Sequence, residues 1–244
     1  MAMETATRTK SREAVYSRGS ATRASAPMLE AAVAKQFTAV DVQAMLQARL
    51  QSALDQAMAT PATQEAAPEG WWDLVAIGPI KPGAGTTPPL GFNGPLLPNQ
   101  VIRSGETAYV ATILILNMFY PQPSACDVLA DFALPYEITY QTGNLTTWSP
   151  GPKALNVEHN YSLVPGQAFY VDVLEFKAEG LDEVMYEMNV SARIFGCNEN
   201  YAPPFAGFAR EVVDIDPSLF RPAPGMVSQP IRFMIYGAHP PSEP

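Results

Sequence analysis

The chain has 244 residues, of which 47% are hydrophobic and 16% charged, and its formal net charge is −9 at neutral pH. That is enough apolar material for a sizeable core, arranged as one domain with an extension. The acidic balance argues against nucleic acid as the main partner, because phosphate binding needs a concentrated basic surface.

The charge is unevenly placed. Residues 1–26 carry Arg8, Lys10, Arg12, Arg18 and Arg23 against Glu4 and Glu13, a balance of +3, which leaves −12 for the remainder. This stretch is polar, small and low in apolar content, and reads as a disordered basic arm, either an idle tail or one that orders on a partner. It has no apolar run followed by a small-residue cleavage site, so a cytoplasmic location is expected. Cys126 and Cys197 are too few for a disulfide scaffold, form no CxxC, and are expected to be reduced.

Residues 27–59 read as an amphipathic helical segment. Pro27 suits a first helical position, and Leu29, Val33 and Phe37 draw one apolar stripe. Thr38 offers an N-cap with Asp41 in the first turn beyond it. From about Ala39 to Ala59, Val42, Met45, Leu46, Leu50, Ala53, Leu54, Ala57 and Met58 mark an apolar face opposite Gln43, Gln47, Arg49, Gln51 and Asp55. That stripe either packs on the chain's own sheet or docks on another copy or partner. Its Gln-rich polar face, with Lys35 and Arg49 as its cations, does not suit a membrane surface.

Residues 60–70, TPATQEAAPEG, form a Pro/Ala/Glu linker and the expected boundary. Trp71 and Trp72 then open a β domain over 71–237, as a core plug or as a platform for a ligand. A short strand follows at Asp73–Ile77. Pro79–Pro98 is a long proline-glycine loop without a Gly-Lys-Ser/Thr phosphate cradle, and such a loop is functional or lies on a neighbour.

The strand Ala108–Phe119 is apolar on both alternating faces, with Thr112 and Asn117 its polar positions, and is expected to lie centrally and be covered on both sides. Twelve residues are too few to span a bilayer, which takes about 20. Alternation marks further strands around Tyr136–Gln141, Ala168–Phe176, Met185–Phe195 and Gln229–Tyr236, with weaker ones at Leu155–Leu163 and Ala209–Ile215. Residues 238–244 read as a flexible tail. Eight or nine strands with no helical crossovers predict a mainly β fold: an antiparallel β-sandwich, immunoglobulin-like or jelly-roll-like, behind a helical N-terminal extension.

Catalytic material is thin. His239 lies in the tail, and His159 reads as an edge residue. Asp172 and Glu175 fall on opposite faces of one strand, so they form no carboxylate pair. Asp214 and Asp216 would share a side if their segment were a strand, yet no EF-hand loop exists. Neither a Gly-x-Ser-x-Gly elbow nor zinc-ligand spacing occurs. The chain is therefore read as a non-enzyme with no cofactor and no metal.

Two functions follow from this layout. One is a structural, self-assembling, capsid-like subunit whose N-terminal helices, basic arm and Pro-rich loops contact copies of itself. The other is a non-catalytic ligand- or protein-binding module that uses an aromatic surface. The residues expected to make contacts are Val42, Leu46, Leu50, Leu54, Trp71, Trp72, Phe205 and Phe208. Nucleic acid would be touched at most weakly, through the arm, and no membrane is expected.

Overall fold

Apolar side chains on both faces of a strand need two covers, and β3 (Thr107–Leu116) obtains both. The computed structural model describes residues 38–59, 72–81, 100–118, 133–195, 206–212, 214–221 and 229–237. All of these fall in one compact unit, Lys35–Pro244. The expected arm, the helical turns before Thr38, the linker, most of the Pro79–Pro98 loop, both cysteines, Trp71, Phe205 and the tail lie outside the described residues.

Within this unit, α1 (Ala39–Ala59) precedes β1 (Trp72–Ile80), β2 (Val101–Arg103), β3 and β4 (Pro135–Asn144). Then come β5 (Ser149–Pro150), β6 (Val157–Ser162), β7 (Phe169–Lys177), β8 (Met185–Ile194), β9 (Ala206–Phe208), β10 (Arg210–Glu211) and β11 (Ile231–Tyr236). One sheet has the order β10-β1-β3-β7, the other β2-β11-β8-β4-β5, with β6 beside β4 and β9 beside β8. Most neighbours are antiparallel. The short pairs β1–β10 and β2–β11 are parallel.

The two sheets face each other through alternate residues. Tyr170, Leu174 and Phe176 of β7 and Tyr136, Ile138 and Tyr140 of β4 are buried between them. Phe176 and Phe233 pack with ring centroids 5.7 Å apart, and Tyr136 and Tyr170 at 5.5 Å. The other face of β3 and β7 is covered by α1, whose Val42, Leu46 and Leu50 are completely buried and whose Leu54 is 8% exposed. Each such side chain contributes about 1.5–3 kcal/mol relative to exposure.

Local chemistry fixes the helix in place. Asp41 N–H donates to Thr38 Oγ1 at 3.3 Å and Thr38 N–H to Asp41 Oδ2 at 3.1 Å, a reciprocal cap. Glu175, on the helix side of β7, accepts from Ala39 N–H at 3.1 Å, and Gln43 donates to the Val171 carbonyl at 3.0 Å. At the other end Arg221 donates to the Ala57 carbonyl at 2.7 Å. Arg49 pairs with Asp214 at 2.8 Å. The helix is thus a third layer of the same unit as the sheets, with Val42, Leu46, Leu50, Ala53, Leu54 and Ala57 of the apolar stripe buried there and Met58 left 55% exposed.

Two segments differ from the sequence reading. Leu155 ends a short 3-10 turn, and the strand begins only at Val157. Among its described residues, Ala209–Ile215 holds just the two-residue β10. Asp214 and Asp216 do not share a strand side. Asp216 instead caps a 3-10 turn, accepting from Ser218 N–H at 2.7 Å. The ion pair to Arg49 and this cap outweigh weak strand propensity.

Candidate functional site

Chemistry-bearing side chains meet at the edge of the sandwich where β6 and β7 lie. Asp172 sits on the inward face of edge strand β7 and is 4% exposed. From the opposite sheet, Tyr140 of β4 donates to Asp172 Oδ2 at 2.7 Å and Tyr161 of β6 to Oδ1 at 2.5 Å. His159 Nδ1 lies 2.9 Å from Oδ2 and 3.0 Å from Oδ1. Thr112, the cross-strand partner of Asp172, places its Oγ1 2.9 Å from the Tyr140 hydroxyl. A carboxylate in this position needs several donors to offset its desolvation, and it has three.

The network shapes its members in turn. Burial and the Asp172 charge hold the Tyr140 phenol well above its usual range. Tyr161 is raised by burial first, then by the hydrogen bond it donates to Asp172 and by that charge. Tyr136, 5.4 Å from the Tyr161 ring, is raised by burial first and by its neighbours second. With Nδ1 turned to Asp172, the His159 ring is fixed in orientation, and about a third of its side chain is exposed. A carboxylate behind an oriented imidazole is the base half of a nucleophilic triad. No serine, threonine or cysteine among the described residues hydrogen-bonds its Nε2. The arrangement clamps the two sheets across their open edge, and an inward charge on an edge strand also discourages strand addition there.

The outer face of the larger sheet offers a different kind of feature. Val101, Met234 and Met185 are directly paired across β2, β11 and β8. They are 44%, 39% and 48% exposed, and Tyr236, two residues along β11, is 40% exposed. Around this row the face is polar, with Arg232 bound to Glu187 at 2.9 Å. Phe208 on β9 shares the face through its pairing with Ser191 and is 64% exposed.

The residues singled out from sequence therefore divide. Val42, Leu46, Leu50 and Leu54 come together, but as core under α1. As a docking face they are corrected, because β3 and β7 are apolar toward the helix and need that cover. Trp72 is half-buried, and a Cβ on Gly207 would come within 3.0 Å of its Cη2, so its ring plugs the gap between β1 and β9. Phe208 is on the surface. Trp71 and Phe205 lie outside the described residues.

Sequence reasoning missed the Asp172 cluster, the Met185–Met234 row and the exposure of Trp148. The signal for the first was present: one carboxylate in the inward series Tyr170, Asp172, Leu174, Phe176. The signal for the second was not, since it depends on which strands become neighbours.

Among the described residues no helix is long and apolar enough to cross a membrane, and no group of three metal-ligating side chains is found. No family model matches the sequence, and comparison with curated proteins returns no match. Among solved structures, the chain is similar to a beta-glucosidase from Listeria innocua crystallised with gluconolactone, at 8% identity and a TM-score of 0.32, over 68% of this chain and 16% of that one. It is also similar to the CARDB domain of a Pyrococcus furiosus protein in complex with di-metal ions, at 12% identity and a TM-score of 0.30. That likeness covers 63% of this chain and 100% of the domain. No residue role is carried over from either.

Proposed function

We propose that the chain is a non-catalytic structural subunit that associates with copies of itself. The observation that carries this reading is the in-register apolar row Val101, Met234 and Met185 on the outer face of the larger sheet. With Tyr236 its exposed parts amount to roughly 300 Å², within the range of the largest patch on a monomer. A stable interface needs about 800 Å² per partner, so the row is one part of a larger contact. Methionines adapt their shape and pack readily against their own kind. The basic segment 1–26 supplies the rest by meeting the acidic body of a neighbour, since the chain carries +3 in the one and −12 in the other.

The proposal extends to topology. The orders β1-β3-β7 and β11-β8-β4-β6 follow the A-B-E and G-F-C-C′ arrangement of immunoglobulin-like sandwiches, with β2 added parallel to β11. This supports an immunoglobulin-like over a jelly-roll assignment. The subunit contact then lies on the face away from α1.

Sedimentation velocity of the full chain beside a Met185→Glu, Met234→Glu double variant tests the row. The wild type is expected to show a concentration-dependent shift that the variant loses while keeping the same circular dichroism spectrum. Identical sedimentation of the two would overturn the assignment of the contact to this face.

A further inference from the structure

The strand edges of the two sheets are treated unequally. β2, β5, β9 and β10 are two or three residues long. β7 carries the inward charge of Asp172, and two carbonyls along it are taken by side chains, Phe169 by Gln167 at 2.8 Å and Val171 by Gln43 at 3.0 Å. Short edges, inward charges and covered carbonyls all close an edge to strand addition. β6 has a different character. It pairs with β4 over six consecutive residues without a bulge, and it contains no proline or lysine.

The ladder shows which groups of β6 are left. Leu163 N–H donates to the Leu134 carbonyl at 2.9 Å, which sets the alternation. The backbone groups of Val157, His159 and Tyr161 then turn toward β4, and those of Glu158, Asn160 and Ser162 turn outward. All three outward residues are exposed, and among the described residues no strand pairs with that side. Like charges crowd the same place. Glu158 lies opposite Thr139, and Glu137 opposite Asn160, on the outer face of the larger sheet. The hydrogen bond with Glu137, and then its charge, lift the Glu158 carboxyl above its usual range. Arg193, the cross-strand neighbour of Glu137 on β8, has its guanidinium 4.7 Å from the centre of the Phe195 ring. Neither carboxylate forms an ion pair with a described residue.

The chain holds a segment that complements this edge. Residues 8–12, Arg-Thr-Lys-Ser-Arg, alternate basic and small hydroxylated residues, so in an extended conformation Arg8, Lys10 and Arg12 share one face. Glu158, Asn160 and Ser162 share one face over the same span of five positions. We propose that residues 8–12 of a neighbouring copy add to β6 as a further strand of the larger sheet, with their basic face beside Glu158 and Glu137. The outward N–H and C=O groups of β6 gain partners, and the crowded carboxylates gain cations. A second β6 in that position would supply the backbone groups but no cation. The seat lies on the sheet whose outer face also carries Val101, Met234 and Met185. In assigning the segment to a neighbour, the inference rests on the self-association proposed above.

The test uses the full chain carrying Arg8→Ser, Lys10→Ser and Arg12→Ser, so that its own segment does not compete, and a fluorescent peptide of residues 5–14. Anisotropy at low salt is expected to give a Kd below about 1 mM, and hydrogen exchange should slow at the Glu158, Asn160 and Ser162 amides. Asn160→Pro removes an N–H that β4 does not use, so it should keep the circular dichroism spectrum and weaken the peptide about tenfold. Glu158→Lys should weaken it about fivefold. A peptide of the same composition with its three basic residues contiguous should also bind about fivefold more weakly. No binding at about 1 mM, equal binding of the two peptides, unchanged affinity for the Glu158→Lys chain, or protection away from β6 would overturn the strand addition. Peptide binding as expected, beside a monomeric mass for the unmodified full chain, would instead overturn delivery by a neighbour.

Discussion

Replacing Asp172 probes the clamp between the two sheets. Hydrogen bonds to a charged group are worth about 1.5–3 kcal/mol each, but the three donors do not lose equally when the carboxylate goes. Tyr161 is 41% exposed and the His159 side chain 32%, so both recover water. Tyr140 is completely buried and keeps only Thr112, 2.9 Å away. The loss is therefore that of a small void and the charge-assisted part of three bonds, with the Tyr140 hydroxyl falling back on Thr112, about 3–4 kcal/mol for Asp172→Ala. Asp172→Asn keeps the volume and one acceptor, and should lose about 1–2 kcal/mol. Urea unfolding at neutral pH, read by linear extrapolation, measures both. A double-mutant cycle with Tyr140→Phe should give a coupling of about 1–2 kcal/mol. Equal losses for the alanine and asparagine variants, or a coupling below about 0.3 kcal/mol, would refute the clamp.

Two further outcomes follow from the same packing. Leu46→Ala, at a completely buried position on α1, should destabilise the whole unit by about 2–5 kcal/mol, with helix and sheet signals lost in one transition. A small loss confined to helical circular dichroism would contradict the shared core. In alkali, the unfolded chain releases phenol protons near pH 10 while the buried phenols hold theirs. Tyr109 is pushed up to about 12, chiefly by burial and then by Glu175 and Asp41. Their contribution is thus full below pH 10 and is lost as pH rises above it, at up to about 1.4 kcal/mol per pH unit for each phenol. Unfolding midpoints measured from pH 9 upward should fall with that slope, and Tyr140→Phe should reduce it by one proton.

Much of this fold is local information. Alternation in Met185–Ile194, the two apolar faces of Thr107–Leu116 and the Thr38–Asp41 cap are each written within a dozen residues. The stripe Val42, Leu46, Leu50 and Leu54 was equally plain, but its partner was not. The two faces of β3 held the clue, because a strand apolar on both sides needs a second cover and α1 was the clearest amphipathic element available. Contacts between distant strands were out of reach. Asp172 meets His159 only because β6 and β7 pass into different sheets and face each other. Val101 joins Met234 through a parallel pairing of three residues, too short to register as a strand in the sequence. The exposure and left-handed backbone of Trp148 leave no trace in composition.

The central claim is self-association, and solution mass by light scattering addresses it most directly. The full chain should be compared with a version beginning at Lys35, which keeps α1 over the sheet; a later start would strip the core and confuse unfolding with dissociation. The account predicts a defined oligomer for the full chain across micromolar concentrations, and a lower mass once the basic segment is gone. Monomeric mass for both chains over that range would contradict it.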